Sequence, residues 1–264
     1  MTPRLLFIVP ALNEEANVGN VVHELLAAFP DANVVVVDDG SADRTATAAA
    51  AAGALVLRLP TNLGIGAAVQ TGLLFADRHD YDIAVQFDAD GQHRADQVPA
   101  LIAPLIEDRC DAVIGSRFLL REGRYNASVP RRIGNAILNT TNALLLRKRF
   151  TDSTSGFRAY NRRATAFLAG SYAHDYPEPE AIVALERHRF RVEEVGILMR
   201  SREAGRSSIT LIRSVYYMFK VLLAMLVHAS RPKRKGQHES TNPNHLHHRQ
   251  RGGGGIRFRA DTTP

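Results

Sequence analysis

Residues 82–93, DIAVQFDADGQH, place two carboxylates directly after an apolar run. The run Ile83–Phe87 is typical of a short buried strand. Asp88 and Asp90 lie one residue apart where this strand ends, so both can point into one crevice and share a divalent cation. Such hard oxygen donors suit Mg²⁺ or Mn²⁺, which also bind phosphate oxygens and stabilise a leaving diphosphate. The stretch therefore indicates a metal-assisted transferase with a nucleoside-diphosphate donor.

Other interpretations of this stretch and its surroundings fit the sequence less well. A D-x-D triplet alone also occurs in solvated turns, so its meaning depends on the rest of the chain. Asp88, Asp90 and Gln92 match the start of an EF-hand loop, but His93 occupies the position that needs glycine. No G-x-x-x-x-G-K-[ST] segment is present, which excludes a P-loop. Gly64–Gly66 forms only part of a dinucleotide-binding fingerprint, and it follows the third predicted strand instead of the first.

Apolar runs and helical patterns alternate along the chain. Strands are predicted at residues 5–9, 33–37, 54–59, 83–87, 112–115 and 191–199, and helices at 18–26, 43–52, 66–76 and 96–107. Pro10 is expected to end the first strand, and Asn13 and Ser41 are candidate N-caps of the first two helices. This alternation predicts βαβ crossovers, and hence an α/β fold with a mostly parallel sheet flanked by helices.

Polar segments follow three of the predicted strands: PALNEE after the first, DDGS after the second and DADGQH after the fourth. The carboxyl ends of parallel strands meet at one edge of a sheet, where such sheets bind ligands. Asp38 and Asp39 could accept hydrogen bonds from a base N–H or from ribose hydroxyls. A turn that caps the following helix is compatible with the same residues.

Length, composition and charge bound the remaining possibilities. The chain has 264 residues, a hydrophobic share of 45%, one cysteine and a net charge of +6. These values fit one sizeable α/β domain without an internal disulfide, in a reducing compartment and with anionic partners. The apolar run Leu5–Leu12 is too short for a signal peptide or a membrane span. No recognition motif or aromatic platform for nucleic acid is present, so nucleic-acid binding is not expected.

The C-terminal region divides into a helix and a tail, giving predicted boundaries at 1–208, 209–229 and 230–264. Residues 209–229, ITLIRSVYYMFKVLLAMLVHA, form a long apolar helix that Arg213, Lys220 and His228 interrupt. This amphipathic pattern favours a helix lying at a membrane interface, and the alternative is packing on the domain or on a second copy in a homodimer. The basic, glycine-containing segment 230–264 is predicted to be disordered.

Taken in order, these motifs give the chain a family resemblance. It resembles family 2 glycosyltransferases of the GT-A (Rossmann-like) fold, and is most similar to their polyprenyl-phosphate, dolichol-phosphate mannose synthase-like branch. The resemblance spans Leu5–Ile209. The segments that carry it are VPALNEE, VVDDGSADRT, NLGIGAAVQTG, FDADGQH, GSRF, TDSTSGFRAY and REAGRSSI.

The resemblance implies an inverting transfer of a sugar from a UDP- or GDP-sugar to a polyprenyl phosphate at the cytoplasmic face of the membrane. Positions that match nucleotide-sugar contacts are Pro10, Leu12, Glu14, Asp38, Asp39, Asp88 and Ala89. Positions that match the metal and diphosphate site are Asp88, Asp90 and Gln92, of which Asp90 counts as catalytic. Positions that match the acceptor phosphate site are Arg117, Arg131, Ser155 and Arg202. Many relatives carry added transmembrane helices, so this chain is expected to be peripheral or to use a separate membrane partner.

The acceptor decides whether a general base is needed. A phosphomonoester is largely ionised near neutral pH and is already a nucleophile. A hydroxyl acceptor on a glycan or a lipid-linked sugar would need a base within hydrogen-bond reach. Asp152, and Glu180 of the Glu178/Glu180 pair, are the candidates, the pair lying where many family members carry an acidic motif. A helix start is an equally good interpretation of that segment. A non-catalytic nucleotide-sugar-binding protein is the third alternative.

Overall fold

The computed structural model describes residues 2–120, 136, 139–141, 143–144, 148–173 and 177–200. Several sequence-based expectations lie outside these residues: Arg131, Arg202, the helix at 209–229 and the tail at 230–264.

Strands and helices alternate through most of the described chain. The strands are β1 (Leu5–Ala11), β2 (Asn33–Asp38), β3 (Leu55–Arg58), β4 (Ile83–Gln86), β5 (Ala112–Ser116), β6 (Arg158–Asn161) and β7 (Val192–Gly196). The helices are α1 (Val18–Ala28), α2 (Thr45–Ala51), α3 (Ile65–Arg78), α4 (Val98–Ile106), α5 (Arg162–Ala169) and α6 (Pro177–Arg187), with a 3-10 turn at Ala95–Gln97. This order confirms the predicted α/β fold.

The described strands form one seven-stranded sheet in the order β3-β2-β1-β4-β6-β5-β7. β1 pairs in parallel with β2 and β4, β2 with β3, and β5 with β7. β6 runs antiparallel to both of its neighbours, β4 and β5. The mostly parallel sheet is therefore confirmed. β6 has no counterpart in the sequence-based prediction, because its short sequence RAYN lacks a clear hydrophobic pattern.

Each face of the sheet carries its own hydrophobic layer, and β1 belongs to both. Phe7 and Val9 pack in the layer that contains residues of α1, α2 and α4. Leu6 and Ile8 pack in the opposite layer, with residues of α3, α5 and α6. Burying each such side chain contributes about 1.5–3 kcal/mol. The two layers thus fix β1, and with it the edge from which its following loop departs.

The first strand does not end at Pro10, contrary to the sequence-based expectation, but continues to Ala11. The β1–β4 ladder stops where Ile8 is level with Gln86, and the Ile8 carbonyl accepts the N–H of Phe87. Residues two apart in a strand direct their backbone groups to the same side, so Pro10 faces β4 beyond the end of that ladder. Its missing N–H therefore costs the sheet no hydrogen bond.

Neither predicted cap residue caps its helix. The N-cap of α1 is Asn17 and that of α2 is Arg44, both without a side-chain cap hydrogen bond. Asn13 has a φ of 55°, a conformation that asparagine tolerates better than most residues. Its backbone N–H donates to Ser41 Oγ at 2.9 Å, so both residues join two loops instead of capping helices.

Candidate active site

The carboxyl ends of β1, β2 and β4 lie side by side at one edge of the sheet. Ala11 is level with Asp38 across the β1–β2 pair, and Ile8 is level with Gln86 across the β1–β4 pair. The segments PALNEE, DDGS and DADGQH consequently leave the sheet from three neighbouring strands. This arrangement is the one that sequence reasoning requires for a shared crevice.

Reciprocal hydrogen bonds join the loop after β1 to the loop after β2. Besides the bond from Asn13 N–H to Ser41, the Ala42 N–H donates to Asn13 Oδ1 at 2.9 Å. The Glu14 N–H donates to Thr45 Oγ1 at 2.8 Å. These bonds hold Leu12, which is 39% exposed, and Glu14 beside the DDGS segment. The loops that carry the predicted nucleotide contacts therefore form one connected unit.

The two aspartates of DDGS have different environments. Asp39 accepts the backbone N–H of Leu63 at 2.8 Å through Oδ1 and that of Gly64 at 2.9 Å through Oδ2, which fixes the loop before α3. Asp38 is fully buried, and its Oδ1 accepts the N–H of Ser41 at 2.9 Å. Its Oδ2 has no hydrogen bond and lies 3.3 Å from Arg58 Nε in an ion pair. A donor N–H from a ligand could satisfy this buried oxygen.

Asp88 and Asp90 lie in the turn that follows β4. Asp90 Oδ1 accepts the N–H of Gln92 at 3.0 Å, and Gly91 between them has a φ of 73°, which permits the tight turn. Removal from bulk water, together with the charge of Asp90, raises the pKa of Asp88 to about 7. Even so, 36% of the Asp88 side chain is solvent-accessible. Asp88 is therefore a crevice carboxylate that a ligand can reach and whose charge is poorly compensated.

The residues present fit a divalent cation whose remaining coordination positions are filled by the substrate and water. Among the described residues no group of three or more His, Cys, Asp or Glu side chains is arranged as a protein-only metal site. Mg²⁺ is usually held by one or two carboxylates together with substrate phosphates and water. Asp88 and Asp90 provide that donor set, and Ala89 between them is buried.

His93 packs against this turn and hydrogen-bonds to it. Its Nδ1 accepts the Asp88 N–H at 2.9 Å, which leaves the ring proton on Nε2, 3.5 Å from Asp88 Oδ2. The ring stacks on Phe157 at 4.7 Å and contacts the edge of Phe87 at 5.2 Å. Burial lowers the pKa of His93 to about 4. The imidazole is therefore neutral near pH 7, with a fixed tautomer.

Arg117 and Asp152 form a bidentate ion pair beside the crevice. Arg117 Nε lies 2.6 Å from Asp152 Oδ2, and Arg117 Nη2 lies 2.6 Å from Oδ1. The side chains are 7% and 0% exposed, and the Asp152 N–H donates to Glu194. Both Asp152 oxygens are thus occupied by a buried cation, which argues against a role as general base. Arg117 would have to leave this partner to bind an acceptor phosphate.

Ser155 and Arg158 belong to a buried network beneath the crevice. Ser155 is 2% exposed and its Oγ accepts the Phe157 N–H. The hydroxyl is therefore buried in the protein and does not face the acceptor substrate. Arg158 is 1% exposed and donates to three carbonyls, those of Ser155 at 2.7 Å, Ser153 at 2.9 Å and Glu178 at 2.7 Å. This guanidinium therefore joins the loop before β6 to the start of α6.

We expect Arg158→Lys to lower the free energy of unfolding by about 2 kcal/mol, because the ammonium group of lysine cannot make all three hydrogen bonds that the planar guanidinium makes to these carbonyls. Thermal unfolding followed by circular dichroism would measure this loss. Arg109→Lys is the matched control, since Arg109 is 51% exposed and its ion pairs contribute little. Equal stability of the two variants would contradict the structural role of Arg158.

Glu178 shares the electrostatic environment of Asp88. Removal from bulk water raises the pKa of Glu178, the Arg158 guanidinium opposes this shift, and the Asp88 carboxylate adds to it. Glu178 is half-buried in the first turn of α6, whereas Glu180 is 6% exposed. Residues two apart on a helix point in different directions. Glu178, which the sequence-based choice of Glu180 left out, is therefore a further candidate acid beside Asp88.

Comparison with known proteins identifies the family. The description "Glycosyl transferase family 2" applies to the sequence profile that matches residues 6–168. The chain belongs to this family. This family 2 glycosyltransferase is 32% identical over 217 residues to the UDP-N-acetylglucosamine–dolichyl-phosphate N-acetylglucosaminyltransferase of Methanococcus voltae, a match that covers 75% of this chain and 86% of that protein. It is 31% identical over 232 residues to the polyprenol monophosphomannose synthase of Mycolicibacterium smegmatis, covering 83% and 86% respectively.

Solved structures resemble the fold of this glycosyltransferase. The glucosyl-3-phosphoglycerate synthase from Mycobacterium tuberculosis, in complex with Mn²⁺, UDP-glucose and phosphoglyceric acid, matches with a TM-score of 0.69 and 22% identity. The match covers 88% of this chain and 82% of that one. This likeness confirms the GT-A fold that the sequence motifs imply.

Arg131 and Arg202, predicted at the acceptor phosphate, lie outside the described residues. Sequence reasoning assigned no role to Gly156 or Arg158, although both lie in the TDSTSGFRAY segment that carries the family resemblance. Within the described part of the chain, no helix is both long and apolar enough to cross a bilayer.

Proposed function

We propose that this glycosyltransferase moves a sugar, with inversion, from a UDP- or GDP-sugar to a polyprenyl phosphate. The observation that carries the proposal is the Asp88–Asp90 pair. It lies between the loops after β1 and β2, which carry the predicted nucleotide contacts, and the acidic start of α6. The acceptor class is supported by two relatives whose names specify dolichyl phosphate or polyprenol monophosphate and which match at least 75% of this chain.

Donor binding would use both sides of the crevice. Asp38 Oδ2, which is paired with Arg58 but has no hydrogen bond, could accept an N–H of the nucleobase, and Leu12 supplies an exposed apolar surface for that nucleobase. Asp88 and Asp90, with Gln92, would hold a Mg²⁺ or Mn²⁺ ion between themselves and the diphosphate. When bound, that ion neutralises the charge that develops on the leaving diphosphate. The chain would hold the donor in line with the acceptor and exclude water.

A phosphate acceptor requires little proton transfer by the protein. Its oxygen is largely ionised near neutral pH and can attack the sugar carbon directly. Arg117, Arg131 and Arg202 are the proposed phosphate ligands, with Arg117 requiring release from Asp152. A position at the cytoplasmic face of the membrane would bring the enzyme to such an acceptor, either through the amphipathic helix that the sequence predicts at 209–229 or through a separate membrane protein.

Glu178 provides a specific reason to keep a hydroxyl acceptor as the second candidate. Its pKa is raised and it interacts with Asp88, as a general base near the reacting centre would. If the acceptor is a phosphate, Glu178→Gln should change kcat by less than about threefold. If the acceptor is a hydroxyl, loss of the base should lower kcat about 10²–10⁴-fold. Glu186→Gln, in the last turn of the same helix, is the matched control; Glu186 pairs with Lys148 at 2.7 Å, and the change should leave kcat unchanged in both cases.

The test is transfer of radiolabelled sugar from a panel of UDP- and GDP-sugars with Mn²⁺, offering polyprenyl phosphate or sugar hydroxyls as acceptor. We expect one donor to give an acid-labile lipid-linked sugar with polyprenyl phosphate alone. Product with hydroxyl acceptors alone would replace the proposal by the second candidate. Donor binding without any transfer would instead indicate a non-catalytic nucleotide-sugar-binding protein.

A further inference from the structure

We propose that Gly156 is a positioning residue for the Asp88 carboxylate, which lies in the space that a side chain at residue 156 would occupy. The inference rests on the proposed role of Asp88 as a cation ligand. It assigns a function to the glycine of the TSGF segment, which precedes β6 and lies 68 positions after Asp88 in the sequence.

The contact distances carry this assignment. A Cβ added at Gly156 would lie 3.0 Å from Asp88 Oδ1, 3.0 Å from Asp88 Oδ2 and 3.2 Å from Gln86 Nε2. Contacts this short oblige the neighbouring atoms to move by a few tenths of an ångström. The backbone of Gly156 is not in the left-handed region, so its conformation does not itself require glycine. The Asp88 carboxylate, with the Gln86 amide beside it, therefore fills the space that a side chain would need.

Two buried side chains keep the carboxylate from moving aside within the protein. His93 lies 3.5 Å from Asp88 Oδ2 and is itself fixed by the Asp88 N–H and by stacking on Phe157. Gln86 is 1% exposed, and its Oε1 accepts the Tyr172 hydroxyl at 3.4 Å. A methyl group at residue 156 would therefore shift the carboxylate from its present position.

Such a displacement matters for cation binding because metal geometry is strict. Mg²⁺ requires near-ideal octahedral coordination with oxygens at about 2.0–2.1 Å. Changing a residue that orients a metal ligand commonly lowers metal affinity about 10–100-fold. Gly156→Ala should thus weaken the cation site although it changes no ligand.

The first test is a stability cycle in the absence of metal. We expect Gly156→Ala to lower the Tm by several degrees in the native background, because the methyl group crowds the carboxylate. In an Asp88→Ala background the same change should lower the Tm clearly less, because only the Gln86 Nε2 contact at 3.2 Å remains and alanine reduces the freedom of the unfolded chain. An equal fall in both backgrounds would overturn the inference, because it would show a cost unrelated to the carboxylate.

The second test is the affinity for Mn²⁺ in the presence of UDP or GDP, followed by electron paramagnetic resonance of the free ion. Gly156→Ala is expected to raise the Kd for Mn²⁺ about tenfold or more. Gly19→Ala, where a Cβ would meet only Ala48 O at 3.9 Å, should leave it unchanged. Equal affinity of the native chain and Gly156→Ala would overturn the positioning role alone. Absence of Mn²⁺ binding by the native chain would overturn the proposed function and the positioning role with it.

Discussion

Replacing Asp88 with asparagine is expected to lower kcat for sugar transfer by about three orders of magnitude. The change removes one of the two carboxylates proposed to hold the cation against the donor diphosphate. A cation at a developing anionic leaving group contributes several kcal/mol to transition-state stabilisation, and each 1.36 kcal/mol corresponds to about a tenfold change in rate. Initial rates at saturating donor and Mn²⁺ would measure the loss.

The same variant is expected to be no less stable than the native chain when metal is absent. The pKa of Asp88 in the folded protein is about 7, whereas an unfolded aspartate titrates near about 4. Because the folded state holds this proton more tightly, ionisation of Asp88 opposes folding as the pH rises from about 4 to 7. The Tm of Asp88→Asn at pH 8 with a chelator should therefore equal or exceed that of the native chain.

Asp82→Asn is the matched control, because Asp82 precedes the same strand at its opposite end and is exposed. It should leave kcat unchanged. Turnover of Asp88→Asn within about threefold of the native rate would contradict the cation site. A large fall in its Tm would instead mean that the lost rate reflects unfolding.

Separating Arg117 from Asp152 is expected to destabilise the fold strongly. Removing one partner of a buried ion pair leaves the other charge without compensation and commonly costs about 3–5 kcal/mol. Arg117→Met and Asp152→Asn should each lower the free energy of unfolding by about 3 kcal/mol. This is near the low end because Asp152 keeps the Arg117 N–H as a donor in the first variant, and Arg117 keeps Thr154 Oγ1 as an acceptor in the second. This corresponds to a fall in Tm of about 6–12 °C.

The double variant decides whether this effect belongs to the pair. Because neither charge then remains uncompensated, Arg117→Met combined with Asp152→Asn should lose clearly less stability than the sum of the single changes. Strict additivity would contradict the pairing. If Asp152 were instead a general base, Asp152→Asn would keep its stability and lose about 10²–10⁴-fold in kcat. Chemical unfolding and kcat measured on the same samples separate these outcomes.

The part of the site that follows from local sequence was predictable. The hydrophobic run before Asp88 identifies a strand, and the rules for parallel sheets place the ends of β1, β2 and β4 at one edge. The separation of Asp88 and Asp90 is set by one intervening residue. The parallel strands β1, β2 and β4, their shared edge and the carboxylate pair required no tertiary information beyond these rules.

The contacts that join distant segments could not be read in the same way. Asp152 lies 35 positions from Arg117, so the sequence shows two candidate functional groups where the fold forms one ion pair. Glu178 and Glu180 differ in the side of α6 they occupy, and the helix start alone does not indicate which side faces the crevice. Gly156 gives no signal until the Asp88 carboxylate is placed against it.

The most direct measurement is calorimetric binding of UDP and GDP to the native chain, with Mn²⁺ and then with a chelator. We predict that one of the two nucleotides binds at least about tenfold more tightly with Mn²⁺, and that Asp88→Asn abolishes this gain. Equal affinity with and without the cation, for both nucleotides, would contradict the claim that Asp88 and Asp90 hold the donor diphosphate through a metal ion.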